Sequence, residues 1–298
     1  MTYDEKIKKL SQIIKDSKRT VFFGGAGVST ESGLKDYRSE TGIYNTVKSY
    51  GVSPETILSH SFFLDDPKTF YKFYRDFFIG DVKPNMAHIS LAKLENTGML
   101  SAIITQNVDN LHQLAGSKNV LELHGTAEKY YCCRCKKKYT KKIFDVNWGE
   151  VSQAETDFSA VKQSENSGLA EENVDFTKEK QGETSKYFDG ENCFSVCGGV
   201  PHCSCGGIIR PLVTLYEEAL DEAVTDRAIS EIYSADTLIV GGTSLAVYPA
   251  AAYLGYFKGK NLIVINKQKT PVDSSANIVF NESIGRVLGD VVSCIEQS

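Results

Sequence analysis

The chain has 298 residues, enough for one large domain or two small ones with a sizeable core. It is 41% hydrophobic and 24% charged, as a soluble globular protein is, and its net charge of -5 gives no bulk electrostatic reason to expect nucleic acid. No apolar run approaches the roughly 20 residues of a membrane span.

Residues 1 to 20 are charged and carry Ile7, Leu10, Ile13 and Ile14 at helical spacing, with no apolar signal core. A cytoplasmic protein is expected, in which thiols stay reduced, so the eight cysteines point to metal or chemistry before disulfides. Thr20 to Phe23 reads as a strand running into Gly24-Gly25-Ala26-Gly27. Residues 46 to 84 are rich in aromatics at helical spacing and suggest a small helical layer packed on a sheet. Ala87 to Gly98 is a helix, and Leu100 to Thr105 a strand ending in QNVDN. Asn119 to Leu123 is a short strand before His124-Gly125. Residues 130 to 206 hold seven cysteines and enclose a polar stretch, 146 to 192, with eleven acidic and four basic residues. That composition buries little apolar surface and reads as a flexible insertion. The pattern then resumes with helix Asp221 to Ala235, strand Thr237 to Val240 before Gly241-Gly242-Thr243-Ser244, strand Asn261 to Ile265 before Asn266-Lys267, and helix Ile284 to Ile295. Near-continuous apolar strands alternating with helices predict an α/β fold, a parallel sheet covered on both faces. Ligands bind such sheets at the carboxyl ends of the strands, where five polar or glycine loops would converge.

The first of those loops departs from the dinucleotide fingerprint, because Gly25-Ala26-Gly27 lacks the third glycine, and no lysine-type phosphate loop follows. A lone pair of glycines equally suits a tight turn. Glycines nonetheless let backbone approach a pyrophosphate, a following helix N-terminus would favour the anion, and Ser29 or Thr30 could cap that helix or bond a phosphate oxygen. Asp36, Tyr37 and Arg38 then offer an acid, an aromatic lid and a cation.

GAGVSTESGLKDYRS, TQNVDNLHQLAGSKNVLELHG, GGTSLAVYPAA and INKQKTP together resemble the signature blocks of the sirtuins, NAD-dependent protein deacylases, and most of all those of Gram-positive bacteria. The resemblance covers the chain outside 146 to 192. It implies a Rossmann-like NAD-binding domain (1–45, 85–128 and 207–298) and a smaller helical and zinc-binding domain (46–84 and 129–206). It also implies transfer of an acyl group from lysine to ADP-ribose with release of nicotinamide, and no hydride transfer. In the family's pattern His124 is the catalytic base and Asn107 orients the ribose and its water. Asp109 holds the nicotinamide carboxamide, with Gln106 and Val108 on the same wall. Ala26, Thr30, Asp36, Tyr37 and Arg38 match the first NAD loop, where relatives have a proline in place of Lys35. Thr243, Ser244 and Asn266 match the adenine-ribose side, with Lys267 and Ile284 as weaker matches. An acyl-lysine peptide would lie as an added strand between Val213-Thr214-Leu215 and Leu245-Ala246-Val247. Two departures stand out: Leu212 replaces an aspartate, and LYEEAL (215–220) replaces a phenylalanine-glycine-glutamate.

Cys132-x-x-Cys135 is half a zinc knuckle, and the other half is expected as a second Cys-x-x-Cys about 15–20 residues on. The chain instead offers Cys203-x-Cys205 after the insertion, a shortened knuckle like that of the resembling proteins. Four thiolates would make a closed, structural site. Cys133, Cys193 and Cys197 are competing ligands, and Cys294 reads as a core thiol. His60, His88, His112 and His202 read as structural or exposed histidines. The tyrosine and arginine that select acidic acyl groups in the family correspond to Lys72 and Arg75, so the arginine is present and the tyrosine is not; with Tyr71 and Tyr74 on other faces of the helix, acetyl or a longer neutral acyl group is expected. Protein ADP-ribosyltransfer, or NAD or acyl-lysine sensing without catalysis, are the alternatives. The intact His124, Asn107 and Asp109 weigh against both.

Overall fold

A computed structural model describes residues 1–34, 50–78, 80, 82–145, 185–189, 192–246 and 249–297. Asp36, Tyr37, Arg38, Val247 and the acidic stretch up to residue 184 lie outside the described residues.

Helix α1 (Tyr3–Asp16) opens with a reciprocal capping box between Thr2 and Glu5 and buries Ile7, Leu10 and Ile14. The fully buried strand β1 (Thr20–Gly24) follows. Three helices, α2 (Pro54–Ile57), α3 (His60–Asp65) and α4 (Pro67–Phe78), precede α5 (Met86–Asn96). Next come β2 (Ala102–Thr105), the single turn α6 (Leu111–Leu114), β3 (Val120–Glu122), β4 (Gly125–Cys132) and β5 (Lys138–Thr140). After the acidic stretch come β6 (Ser185–Asp189), β7 (Asn192–Cys197), β8 (Val200–Cys203) and β9 (Ile209–Val213). The chain closes with α7 (Glu222–Ser234), β10 (Thr237–Gly241), β11 (Asn261–Ile265), β12 (Ile278–Phe280) and α8 (Ile284–Glu296).

Six strands form one parallel sheet in the order β12-β11-β10-β1-β2-β3. Read from β3, this is the doubly wound order, whose direction reverses between β1 and β10. Alternate residues of β1 serve opposite cores, as strand geometry requires. Phe22 packs with Leu10, Leu91, Leu288 and Val291 of α1, α5 and α8. Val21 and Phe23 pack with Ala228 and Ile232 of α7. The three-residue β12 is too short to show a period in sequence.

The aromatic stretch is helical, as expected, but it does not lie on the parallel sheet. Phe63, Phe70, Tyr71, Phe73 and Tyr74 share a third core with Tyr130, Tyr139, Phe194 and Ile209. Those partners come from two small antiparallel sheets, β5-β4-β9 and β6-β7-β8. The expected insertion also ends early, because residues 185–189 pair with β7 instead of continuing a loop. Tyr187 and Phe194, paired across its two strands, give this hairpin an apolar face that composition alone concealed.

Candidate active site

At the reversal point two glycine loops touch backbone to backbone. The Gly27 N–H donates to the Gly242 carbonyl at 2.8 Å. A Cβ on Gly27 would sit 2.8 Å from the Gly242 Cα, and one on Gly242, whose φ is +59°, only 2.4 Å from the Val28 nitrogen. No other residue type fits at this crossing. Residues 26–28 and 30–32 are 3-10 turns, so the helix N-terminus expected here for a phosphate is absent among the described residues. Neither Ser29 nor Thr30 caps a helix; the Thr30 hydroxyl donates to the Gly27 carbonyl at 3.0 Å. Gln106 Nε2 reaches across to Thr243 Oγ1 at 3.2 Å, and the same oxygen accepts the Leu245 N–H. Ala26 is half-buried on the loop, Ser244 and Lys267 are exposed, and half-buried Asn266 ends β11. Ile284 is buried against Gly241 within the core, so it supports the loop from behind.

Ser29 is the hub of a buried polar network. Its hydroxyl donates to Asp109 Oδ2 at 2.6 Å and accepts from Asn107 Nδ2 at 3.0 Å. His88 Nδ1 accepts the Asn85 N–H at 3.2 Å, so its proton sits on Nε2, 3.4 Å from the same hydroxyl. The Asp109 Oδ1 oxygen accepts the Leu111 N–H at 3.0 Å, and the Asn107 N–H donates to Thr105 Oγ1 at 3.0 Å. Every group on Ser29 is thereby committed, which fixes the Asn107 amide with its oxygen facing away from Ser29. His112 packs edge-on against His88 with ring centroids 4.8 Å apart, and neither of its ring nitrogens has a hydrogen-bond partner among the described residues. Burial pushes His88 down to about 4, against the pull of Asp109 and Glu31. Burial, with His88 beside it, pushes His112 down to about 3. Both rings are therefore neutral near pH 7 and place no cation beside the network.

His124 stands just past the end of β3. Its Nδ1 lies 2.9 Å from the Gln106 carbonyl, which only accepts, so Nδ1 carries the proton and Nε2 keeps its lone pair. Burial lowers its pKa below the ordinary histidine value, and the Gln106 bond opposes that shift. Gly125 follows at φ +74°, where a Cβ would lie 2.1 Å from the Leu212 carbonyl oxygen. The tight turn behind His124 therefore requires glycine. The His124 carbonyl accepts the Thr214 N–H at 2.9 Å, which ties the histidine to the segment after β9. Val213 and Thr214 are half-buried there; the Leu215 and Leu245 side chains point into separate cores.

Arg210 secures that segment. It is 4% exposed and forms a two-pronged pair with Glu218, at 2.6 and 2.9 Å, while also donating to the Val213 carbonyl. Burial alone would raise Glu218, but hydrogen bonds from Arg210, the Leu215 N–H and His60 bring it down to about 2. The exposed Leu212, in place of an aspartate, has no partner that explains the exchange.

The Sγ atoms of Cys132, Cys135, Cys203 and Cys205 all lie within 4.8 Å of one another. Two of the separations are 3.5 and 3.6 Å, close to the roughly 3.8 Å between sulfurs on a tetrahedral zinc. No disulfide joins the described cysteines, and Cys133, Cys193 and Cys197 stand outside the group. Backbone turns bring the four together, with Lys136 at φ +59° in one knuckle and Gly206 at φ +84° in the other. The donor set fits zinc, which the shortened second knuckle does not prevent.

Sequence reasoning placed Asn107, Asp109, Gln106, Thr243 and His124 at one crevice, and the structure brings them together. It missed Ser29 as the hub that joins Asn107 and Asp109, and gave His88 only a structural part. No local pattern marks a serine whose partners lie 59, 78 and 80 residues away.

The Sir2 family model matches residues 25–249. The chain is 46% identical over 292 residues to an NAD-dependent protein deacetylase of Clostridium perfringens, covering 97% of this chain and 99% of that protein. It is also similar to a solved Sir2 with a p53 peptide and NAD+, at 32% identity and a TM-score of 0.72, covering 98% and 99% of the two chains. A Sir2 variant with a deacetylated p53 peptide and 3'-O-acetyl ADP-ribose matches at 32% identity and a TM-score of 0.73, covering 96% and 97%.

Proposed function

The chain belongs to the Sir2 family, and from that premise we infer how its residues divide the work of NAD-dependent protein deacetylation. The protein is an NAD-dependent protein-lysine deacetylase, using NAD as co-substrate and acyl-lysine proteins or peptides as substrates. The acyl group passes from lysine to ADP-ribose, and nicotinamide is released.

The two glycine loops meet at the point where the strand order reverses, which is where a doubly wound sheet takes a nucleotide, so NAD fits this crevice. Ala26 and Thr30 would hold its centre, with Thr243, Ser244, Asn266 and Lys267 at the adenine-ribose end. When bound, NAD supplies the ribose carbon that the acyl oxygen attacks. Asn107 and Asp109 would fix the nicotinamide end, because Ser29 holds both in set orientations. Asp36, Tyr37, Arg38 and Val247 are assigned to the site from the family pattern alone, and Ile284 from a buried position behind it.

The observation that carries the catalytic assignment is the tautomer of His124. With Nδ1–H committed to the Gln106 carbonyl, Nε2 is free to take a proton from a ribose hydroxyl. An acyl-lysine peptide would lie beside Val213-Thr214-Leu215, whose backbone is bonded to that same histidine. The four-thiolate site is closed and therefore structural, pinning β4 to β8 without entering the reaction. A reducing cytoplasm would keep those thiols available. Tyr71 and Tyr74 are buried in the core, and Lys72 sits 5.3 Å over the Tyr50 ring. None of the three is offered to an acidic acyl group, which supports acetyl or a longer neutral group.

Mass spectrometry of an acetyl-lysine peptide incubated with NAD tests the assignment. The wild type is expected to yield deacetylated peptide and O-acetyl-ADP-ribose. His124→Ala should slow this by roughly 100-fold to 10,000-fold. A peptide that keeps its acetyl group while protein gains ADP-ribose would favour the transferase alternative. No consumption of NAD would favour the sensor.

A further inference from the structure

An open groove of about 850 Å³ lies where the segment after β9 meets the α2–α3 turn. Its walls carry the exposed side chains of Leu64 and Tyr216, at 62% and 38%, together with Phe62. Glu55, Asp65 and Glu217 also line it, and no lysine or arginine does among its described lining residues. The segment that carries the proposed substrate edge runs directly into the groove wall. Thr214 donates its N–H to the His124 carbonyl, and Tyr216, two residues on, forms a parallel bridge with Ser59 at the groove.

Glu217 is built into this place at a cost. Its φ of +75° suits glycine, and a glutamate there costs roughly 1 kcal/mol of backbone strain. Its carboxylate accepts both the Ser61 N–H and the Ser61 hydroxyl at 2.9 Å, which holds it beside α3 at the groove wall. The sign of the wall is thus fixed by structure and does not depend on a mobile side chain.

We propose that this groove receives the part of the substrate that flanks the acyl-lysine, and that it selects a basic residue there. The proposal rests on the deacetylase reading and on the placement of the substrate along Val213 to Leu215. An extended peptide advances about 3.3 Å per residue and returns a side chain to the same face every second residue. With the acyl-lysine at His124, a residue about two positions away on that face reaches the groove. A lysine or arginine fits it best: the aliphatic stem covers Leu64 and Tyr216 while the charged head meets the carboxylates.

The test measures dissociation constants, by calorimetry, for acetyl-lysine peptides carrying arginine, glutamine or glutamate at one flanking position at a time. Turnover of the same peptides is followed in parallel. Wild type should bind the arginine peptide roughly fivefold more tightly than the glutamine peptide at one position, a difference typical of a partly exposed ion pair. Glu217→Gln combined with Asp65→Asn should remove most of that preference, as should high salt, with the NAD constant unchanged. Equal binding of all three peptides by wild type, or a preference that survives in the double variant, would overturn the proposal. If the arginine preference is present in binding but no peptide loses its acetyl group, the groove stands and the deacetylase reading falls.

Discussion

His124 and its partner Gln106 set the chemistry at the residue scale. The Gln106 carbonyl accepts and never donates, so the hydrogen bond selects one tautomer and leaves Nε2 as the base. Burial lowers the pKa, since the charged imidazolium is disfavoured away from water. A group shifted down stays unprotonated to lower pH. The acidic limb of kcat/KM against pH is therefore expected below the ordinary histidine value of 6.5. A profile with that limb above 6.5 would contradict the burial of a neutral base. Ser29 shows the same logic for hydrogen bonds. Its hydroxyl donates to Asp109 and accepts from Asn107 and His88, so a carboxyl and an amide of the site are oriented by one hydroxyl.

Loops decide the site at the scale of elements. The strands β1 and β10 are five residues each and fully buried, and their job is to deliver two glycine loops to one point. Gly242 is the tightest member of that crossing. Gly242→Ala would face a Cβ contact with the Gly27–Val28 backbone and a left-handed φ. Its stability is expected to fall by about 2 kcal/mol or more, by urea melting, and its affinity for NAD to fall with it. A fully stable Ala variant that binds NAD normally would show that the loops open at no cost. Glu217 lies at the opposite extreme. The same left-handed backbone is occupied by a charged residue, because two hydrogen bonds to Ser61 offset the strain.

The whole molecule has two structural supports of different kinds. The parallel sheet is held by apolar cores on both faces. The antiparallel sheets share an aromatic core, and four cysteines close it at one end. Two cysteines come from the end of β4 and its turn, and two from the end of β8 and its turn, so a bound zinc would join Cys135 to Cys203, 68 positions on in sequence. Metal analysis is expected to find one zinc per chain. Chelation should lower the thermal midpoint by several degrees, and Cys135→Ala should do the same. Cys294→Ser, on α8 outside the group, should not. A metal-free protein with an unchanged midpoint would remove zinc from the support of this region.

The sequence by itself determined the parallel sheet, through apolar runs of strand length, and the contents of the crevice, through long motif blocks that each span one strand and its loop. Those blocks are local, and strand ends in a doubly wound sheet converge whatever the detail between them. Half of the cysteine group was legible locally, as Cys132-x-x-Cys135, whereas the structure decided for Cys203 and Cys205 over the competing Cys133, Cys193 and Cys197. Only the tertiary structure decided the rest. Ser29 and His88 became site residues because segments far apart in sequence fold against each other, and no periodicity encodes such a meeting. The aromatic helices chose the antiparallel strands over the parallel sheet, whose two faces were already filled by α1, α5, α7 and α8. The sign of the groove beside the substrate edge was also invisible, because Glu55, Asp65 and Glu217 are ordinary surface acids until α2, α3 and the segment after β9 bring them onto one wall.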